Sequence, residues 1–221
     1  DETLRNLNER LNYLKNLEER KQEVTKSIEE QGKMTEEISK SIESAITLAE
    51  VEDIYRPYKQ KKKTRATVAK AKGLEPLSII IYMQNEKENI NKIAEKYIDE
   101  EKGVASAEEA IAGALDIIAE KISDDAEIRK NLREFLFKSS FIVTTLKPNE
   151  KVNTYLMYDN YKEQVCKMPS HRILAINRGE KEDCIKVDLE VNEEKSLEII
   201  KSIFKIKESI YSEVLNNTVV D

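Results

Sequence analysis

The chain has 221 residues, of which 36% are charged and 39% hydrophobic, with 5 Gly, 4 Pro, one His and a formal net charge of −6. So few punctuation residues exclude a turn-rich sandwich, and the abundant Glu, Lys, Leu and Ile describe a mainly α fold. One His, no Cys-x-x-Cys, no P-loop and no Gly-x-Gly-x-x-Gly leave no pattern for a metal, a cofactor or a small-molecule substrate.

In chain order, Leu4, Leu7, Leu11, Leu14 and Leu17, then Val24 and Ile28, recur at three- and four-residue spacing. This predicts an amphipathic helix of about 28 residues, closed near Gln31-Gly32. Thr35-Glu36-Glu37 predicts a second helix start, with Met34, Ile38, Ile42, Ala45, Ile46 and Ala49 on its apolar side, and hence an antiparallel helical hairpin. A coiled coil between chains is the alternative for the first helix, but the spacing slips after Leu17, which favours packing within the chain. Further on, residues 64–71 read as a short helix stopped by Gly73, and Pro76 sits in the first turn of the next. Ile90, Ile93, Ala94, Tyr97 and Ile98 share a face, and Ser106 with Glu109 reads as a capping box. Ser123-Asp124-Asp125 starts another helix, its acids favouring the positive end of the helix dipole.

Lys147-Pro148-Asn149 breaks the chain and sets the expected boundary between a helical region at 1–146 and a second helical segment at 147–221. Residues 155–166 resume helical spacing, residues 173–176 fit strand or helix, and Arg178-Gly179 marks a turn. Residues 184–191 alternate as a strand does, and helix returns from Glu193 through Ser209. The expected architecture is a multi-helix bundle with a helix-turn-helix-like arrangement and at most one short β element. The apolar runs, such as residues 77–83, fall well short of the roughly 20 residues that span a bilayer, so no membrane partner is expected. Cys166 and Cys184 are too few for a disulfide framework and fit a reducing, cytoplasmic setting. No basic-plus-apolar leader is recognisable at the start, so no secretory signal is expected.

Charge is segregated. Residues 54–74 contain Arg56, Lys59, Lys61, Lys62, Lys63, Arg65, Lys70 and Lys72 and no acid, so this strip carries +8 and the rest of the chain −14. Such a strip can grip phosphates while Tyr55 or Tyr58 stacks a base; about five phosphate contacts would give a single-strand salt slope near −3.5. The plain alternative is a solvated loop, with both tyrosines packed under neighbouring helices and Arg56 facing an acidic patch. A nucleophile–base pair of Cys166 and His171 has no orienting acid at a telling distance, so a structural role is favoured and no enzyme is expected. Arg172 and Arg178 could join a basic surface, but pairing with Glu180, Glu182 or Asp183 is favoured.

Several segments occur together in one order: Glu29-Glu30-Gln31-Gly32-Lys33, Asp53-Ile54-Tyr55-Arg56-Pro57-Tyr58-Lys59, Lys63-Thr64-Arg65-Ala66-Thr67-Val68-Ala69 and Gly73-Leu74-Glu75-Pro76-Leu77. Asp99-Glu100-Glu101-Lys102-Gly103-Val104-Ala105 and Pro169-Ser170-His171-Arg172-Ile173-Leu174-Ala175, followed by Arg178-Gly179, complete the set. Together they resemble the Tex family of bacterial transcription accessory proteins over roughly residues 1 to 191. The resemblance implies a large, non-catalytic multidomain protein that binds nucleic acid, chiefly RNA, and accompanies transcription. It implies an N-terminal helical region, an RNase H-like domain without its catalytic set, helix-hairpin-helix modules and a C-terminal OB-fold. This chain resembles the helical region, with 147–221 leading toward an RNase H-like domain and no OB-fold segment. The expected nucleic-acid contacts are Lys59, Lys61, Lys62, Lys63, Arg65, Lys70 and Lys72. Single-stranded RNA is the favoured partner and DNA the other candidate. The competing class is a protein-interaction module that docks the transcription or translation machinery.

Overall fold

A computed structural model describes residues 2–59, 63–85, 88–148, 152–207 and 211–220. It divides into two compact units, Asp1–Lys130 with Ile203–Asp221, and Asn131–Ser202. The expected boundary at 146/147 falls inside the second unit.

The first unit opens with α1 (Glu2–Glu30), which Gly32 ends in the left-handed region at φ 66°, where a Cβ is disfavoured. α2 (Glu36–Ser44), capped by Thr35, returns antiparallel, and Lys21 Nζ donates to the Glu43 carbonyl at 2.7 Å. α3 (Leu48–Tyr55) then runs parallel to α1. Three contacts set that register: Leu48 N–H donates to Tyr13 Oη at 3.2 Å, Arg20 Nε donates to Glu52 at 2.6 Å, and Ser27 Oγ meets Tyr55 Oη at 3.0 Å. Residues 13, 20 and 27 are spaced by seven and so lie along one face of α1. Leu17, Val24, Ile28, Ile42, Ala45 and Val51 fill the space between these helices. Each buried Val or Ile contributes about 1.5–3 kcal/mol.

Two expectations about this hairpin change. The second helix is two helices, because Thr47 and Glu50 form a reciprocal capping box that starts α3 afresh and leaves Ile46 exposed. Packing within the chain holds from Leu17 onward, whereas Leu4, Leu7, Leu11 and Leu14 are exposed.

Beyond a 3₁₀ turn at Arg56–Tyr58 come α4 (Arg65–Ala71), α5 (Glu75–Met83), α6 (Ile90–Ala94) and α7 (Ala107–Asp124). Gly73, at φ 83°, ends α4, and the three-residue turn Lys72-Gly73-Leu74 leads into α5. α7 is the hub: Ala110, Ala114, Ile117, Ile118 and Ile122 are buried, and α4, α5 and α6 pack on it. α11 (Ser212–Val220) packs on it as well, burying Leu215 and Val219. Two hydrogen bonds fix this returning segment: Lys207 N–H donates to Gln84 Oε1 at 2.7 Å, and Tyr211 Oη donates to the Glu88 carbonyl at 2.9 Å. α8 (Ala126–Ser139) begins where the Asp125 carboxylate accepts from Ile128 N–H at 2.9 Å, and the division between units falls within it.

The second unit overturns the expectation of at most one short β element. β1 (Phe141–Leu146), β2 (Tyr161–Gln164) and β3 (Ile185–Glu190) form an antiparallel sheet in the order β2-β1-β3. Ile142, Val143, Thr144 and Thr145 give β1 the branched side chains that suit a pleated surface. The helical spacing at 155–166 resolves into the 3₁₀ segment Val152–Tyr158, where Tyr155 and Tyr158, three apart, fall on one side and are both buried, and a 3₁₀ turn at Val165–Lys167, with β2 between them. β2 is too short to show alternation; the sheet creates it by pairing Ile142 with Glu163 and Thr144 with Tyr161. The expected strand at 184–191 is β3. Residues 173–176 lie within α9 (Ser170–Lys181), and so does Gly179, with the turn falling at Asp183, φ 55°. Tyr155, Tyr158, Ile176, Cys184 and Ile185 form the core of this unit. α10 (Glu193–Phe204) leads back to the first unit's segment.

Candidate nucleic-acid interface

The basic strip occupies the end of α3, the 3₁₀ turn and α4. Thr64 anchors its second half: its Oγ1 accepts from Thr67 N–H at 3.1 Å and donates to Glu120 at 3.0 Å, and Thr67 Oγ1 accepts from Thr64 N–H at 2.8 Å. α4 is thereby clamped to α7, which presents Asp116, Glu120 and Asp124 at four-residue intervals along one face.

Those carboxylates take up part of the strip. Arg56 Nε donates to Asp124 Oδ1 at 2.9 Å, Lys70 Nζ lies 3.8 Å from Glu120, and Arg65 Nε lies 3.4 Å from Asp116. The Arg65 side chain is nonetheless 69% exposed, so this pair is worth at most about 1 kcal/mol and leaves the guanidinium accessible. Lys72 Nζ donates to the Gly103 carbonyl at 2.7 Å. Lys59 and Lys63 are exposed, and no ion pair engages either among the described residues. Lys61 and Lys62 lie outside the described residues. The strip is therefore divided: Arg56 and Lys70 are turned onto α7, Lys72 is tied to a carbonyl, and Lys59, Lys63 and much of Arg65 face water.

The tyrosines are packing groups. Tyr55 and Tyr58 lie against the α1–α3 core, the Tyr55 hydroxyl meets Ser27, and the Arg20 guanidinium sits 5.6 Å from the Tyr55 ring centroid. Behind the strip, α3 is pinned from three directions. Arg20 reaches Glu52 at 2.6 Å, Arg129 donates to the buried Asp53 at 2.7 Å, and Lys130 reaches Glu50 at 3.0 Å. Glu50 accepts from Ile46 N–H and Thr47 N–H at 2.8 and 3.2 Å. The Ile46 N–H first, Lys130 next and the Thr47 N–H last hold its carboxyl below the usual range. These ion pairs join residues 32 to 80 positions apart, beyond the reach of local pattern reading.

In the second unit, Cys166 and His171 are both exposed, and the Cys166 thiol points at the Lys138 carbonyl, 3.9 Å away. Arg172 corrects another expectation. Its guanidinium bonds Glu163 and the Tyr161 hydroxyl rather than an acid of its own helix. The Tyr161 hydroxyl donates to Glu163 as well, and with Arg172 it depresses the Glu163 carboxyl, while burial raises the Tyr161 phenol. Among the described residues no group of three His, Cys, Asp or Glu could hold a metal ion, and no helix is long and apolar enough to cross a membrane.

Fold and site together define a mainly helical, two-unit protein whose first unit carries a half-neutralised basic strip. Residues 85–217 match the family described as Tex central region-like. The chain is 43% identical over 222 residues to YdcI of Bacillus subtilis, covering 99% of this chain and 31% of that protein. It is 37% identical over 191 residues to the transcriptional accessory protein Tex of Neisseria gonorrhoeae, covering 86% of this chain and 25% of that one. The S1 RNA-binding domain-containing protein 1 of Homo sapiens is 27% identical over 201 residues, 87% of this chain and 20% of its own length. The chain belongs to the Tex family, and it spans about a third or less of the length of these relatives.

Proposed function

We propose that this chain is a non-catalytic, cytoplasmic scaffold of a transcription accessory protein that adds an auxiliary nucleic-acid contact through its basic strip, with single-stranded RNA as the favoured ligand. The observation that carries the reading is the exposure of Lys59 after the 3₁₀ turn, and of Lys63 and Arg65 at the start of α4, the helix that α7 clamps from behind. Rigid support lowers the entropy cost of presenting several cations at once, and phosphate neutralisation supplies sequence-independent affinity. The names of two relatives, a transcriptional accessory protein and an S1 RNA-binding domain-containing protein, support the same direction. The aromatic stacking half of the expected mechanism is dropped, because Tyr55 and Tyr58 are partly buried against the core.

Fluorescence anisotropy of the chain with labelled single-stranded RNA tests this. Affinity is expected to fall steeply between about 50 and 200 mM salt. Affinity that barely responds to salt would move the function to the second reading, a protein-interaction module. One observation favours that module: the exposed Leu4, Leu7, Leu11 and Leu14 along α1, a stripe with the spacing of a helix-docking seam.

A further inference from the structure

The turn at residues 99–104 plays no part in the strip as read from sequence, yet the fold brings it against α4. Asp99 and Val104 exchange both backbone hydrogen bonds at 2.9 Å, and Gly103 takes φ 75° to close the turn. Lys72 Nζ, bound to the Gly103 carbonyl at 2.7 Å, ties this turn to the end of α4. Between the two lies a groove of about 400 Å³ lined by Lys63, Thr67, Val68, Ala71, Lys72 and Lys102. It combines three ammonium groups with a hydroxyl and an apolar floor, and among the described residues no carboxylate lines it, Asp99 being paired with Lys102. The groove that also touches Lys63 on the α7 side is different, since Glu109 and Asp116 line it beside Arg65. Among the described residues, therefore, α4 has acidic side chains lining its groove on the α7 side, and on the side of the 99–104 turn the nearest named carboxylate, Asp99, is paired with Lys102.

We propose that Lys63, Lys72 and Lys102 form a phosphate-binding groove that seats one backbone phosphate of single-stranded RNA, with the sugar against Val68 and Ala71. The proposal rests on the nucleic-acid reading above and names where along the strip the chain of phosphates runs. In the free protein Lys102 Nζ lies 2.7 Å from the Asp99 carboxylate, an exposed pair three residues apart. Such pairs are weak, and a phosphodiester can take the carboxylate's place without disturbing a buried group. Glu100 and Glu101 are exposed in the same turn but do not line the groove. Lys72 acts twice: its bond to Gly103 shapes the groove, and its remaining N–H donors face into it.

The test is anisotropy of the whole chain with a fluorescein-labelled twelve-nucleotide oligouridylate, comparing wild type with Lys102→Ala, Lys102→Arg, Lys63→Ala and Lys96→Ala. Lys96 pairs with Glu88 at 3.6 Å and does not line the groove, so it serves as the control. Lys102→Ala is expected to weaken binding about three- to tenfold and to make the salt slope shallower by about 0.7, the loss of one single-strand phosphate contact. Lys102→Arg should restore both, and Lys96→Ala should change neither. If Lys63→Ala weakens binding while Lys102→Ala matches wild type or the Lys96→Ala control, the groove is wrong and the strip reading stands. If wild type shows no salt-sensitive binding, both fall.

Discussion

Gly179 of α9 approaches Ile185 of β3 so closely that a Cβ built on it would lie 2.4 Å from Ile185 Cδ1, 2.8 Å from Cγ1 and 3.0 Å from Tyr155 Cδ1. All three atoms belong to the buried core of the second unit. Alanine there gains about 1 kcal/mol of helix propensity and loses more to overpacking, about 1–3 kcal/mol. Gly179→Ala is therefore expected to lower the urea midpoint, and adding Ile185→Val should recover part of the loss. Equal stability of Gly179→Ala and wild type would show that α9 does not pack this closely.

The α3 cap predicts a pH dependence. The folded pKa of Glu50 is depressed, so its contribution to stability is present above the unfolded value of 4.5 and is lost as pH falls through the depressed folded value. Urea unfolding from pH 6 down to pH 3 should show a steeper loss for wild type than for Glu50→Gln. At pH 7 that variant should be less stable by about 0.2–1 kcal/mol, because glutamine can still accept from the Ile46 and Thr47 N–H groups and only the Lys130 ion pair is lost. Parallel pH profiles for the two proteins would remove Glu50 from the account.

Tyr55 separates packing from stacking. Removing its hydroxyl in Tyr55→Phe deletes the 3.0 Å bond to Ser27 and should cost about 0.5–1.5 kcal/mol. Because the ring packs against the core, RNA affinity should stay within twofold of wild type. A large affinity loss with unchanged stability would return the ring to the binding surface.

Leu215 tests whether the returning C-terminal segment completes the first unit. It is fully buried, and α11 packs on α7, so Leu215→Ala should destabilise by about 2–5 kcal/mol. Protease protection of α7 should fall with it, and a neutral substitution would mean that α11 only rests on the surface.

What was legible in the sequence follows from the range of each signal. Thr35 and Ser106 cap helices whose starts they announced, and Gly32 and Gly73 sit where a left-handed residue must end one. These are interactions within four residues. The break between α2 and α3 was hidden because Ala45, Ile46 and Ala49 continue a helical apolar spacing across it. The sheet was missed because β2 gains its pattern only from its partner and β1 was not recognised before it. The basic strip was visible as a run of cations, but which of them remain accessible depends on Asp116, Glu120 and Asp124, more than 40 residues further along the chain. Lys102 carried no signal, since its place beside α4 depends on the Lys72–Gly103 bond.

Cations presented beside and on the clamped helix α4 are proposed to reach outward to a polyanion. The most direct measurement is a salt titration of RNA affinity for wild type and the Lys59→Ala/Lys63→Ala double variant. Loss of two phosphate contacts predicts weaker binding at every salt concentration and a slope shallower by about 1.4. Superimposable titrations would contradict it and leave the chain as a helical support with no part in gripping RNA.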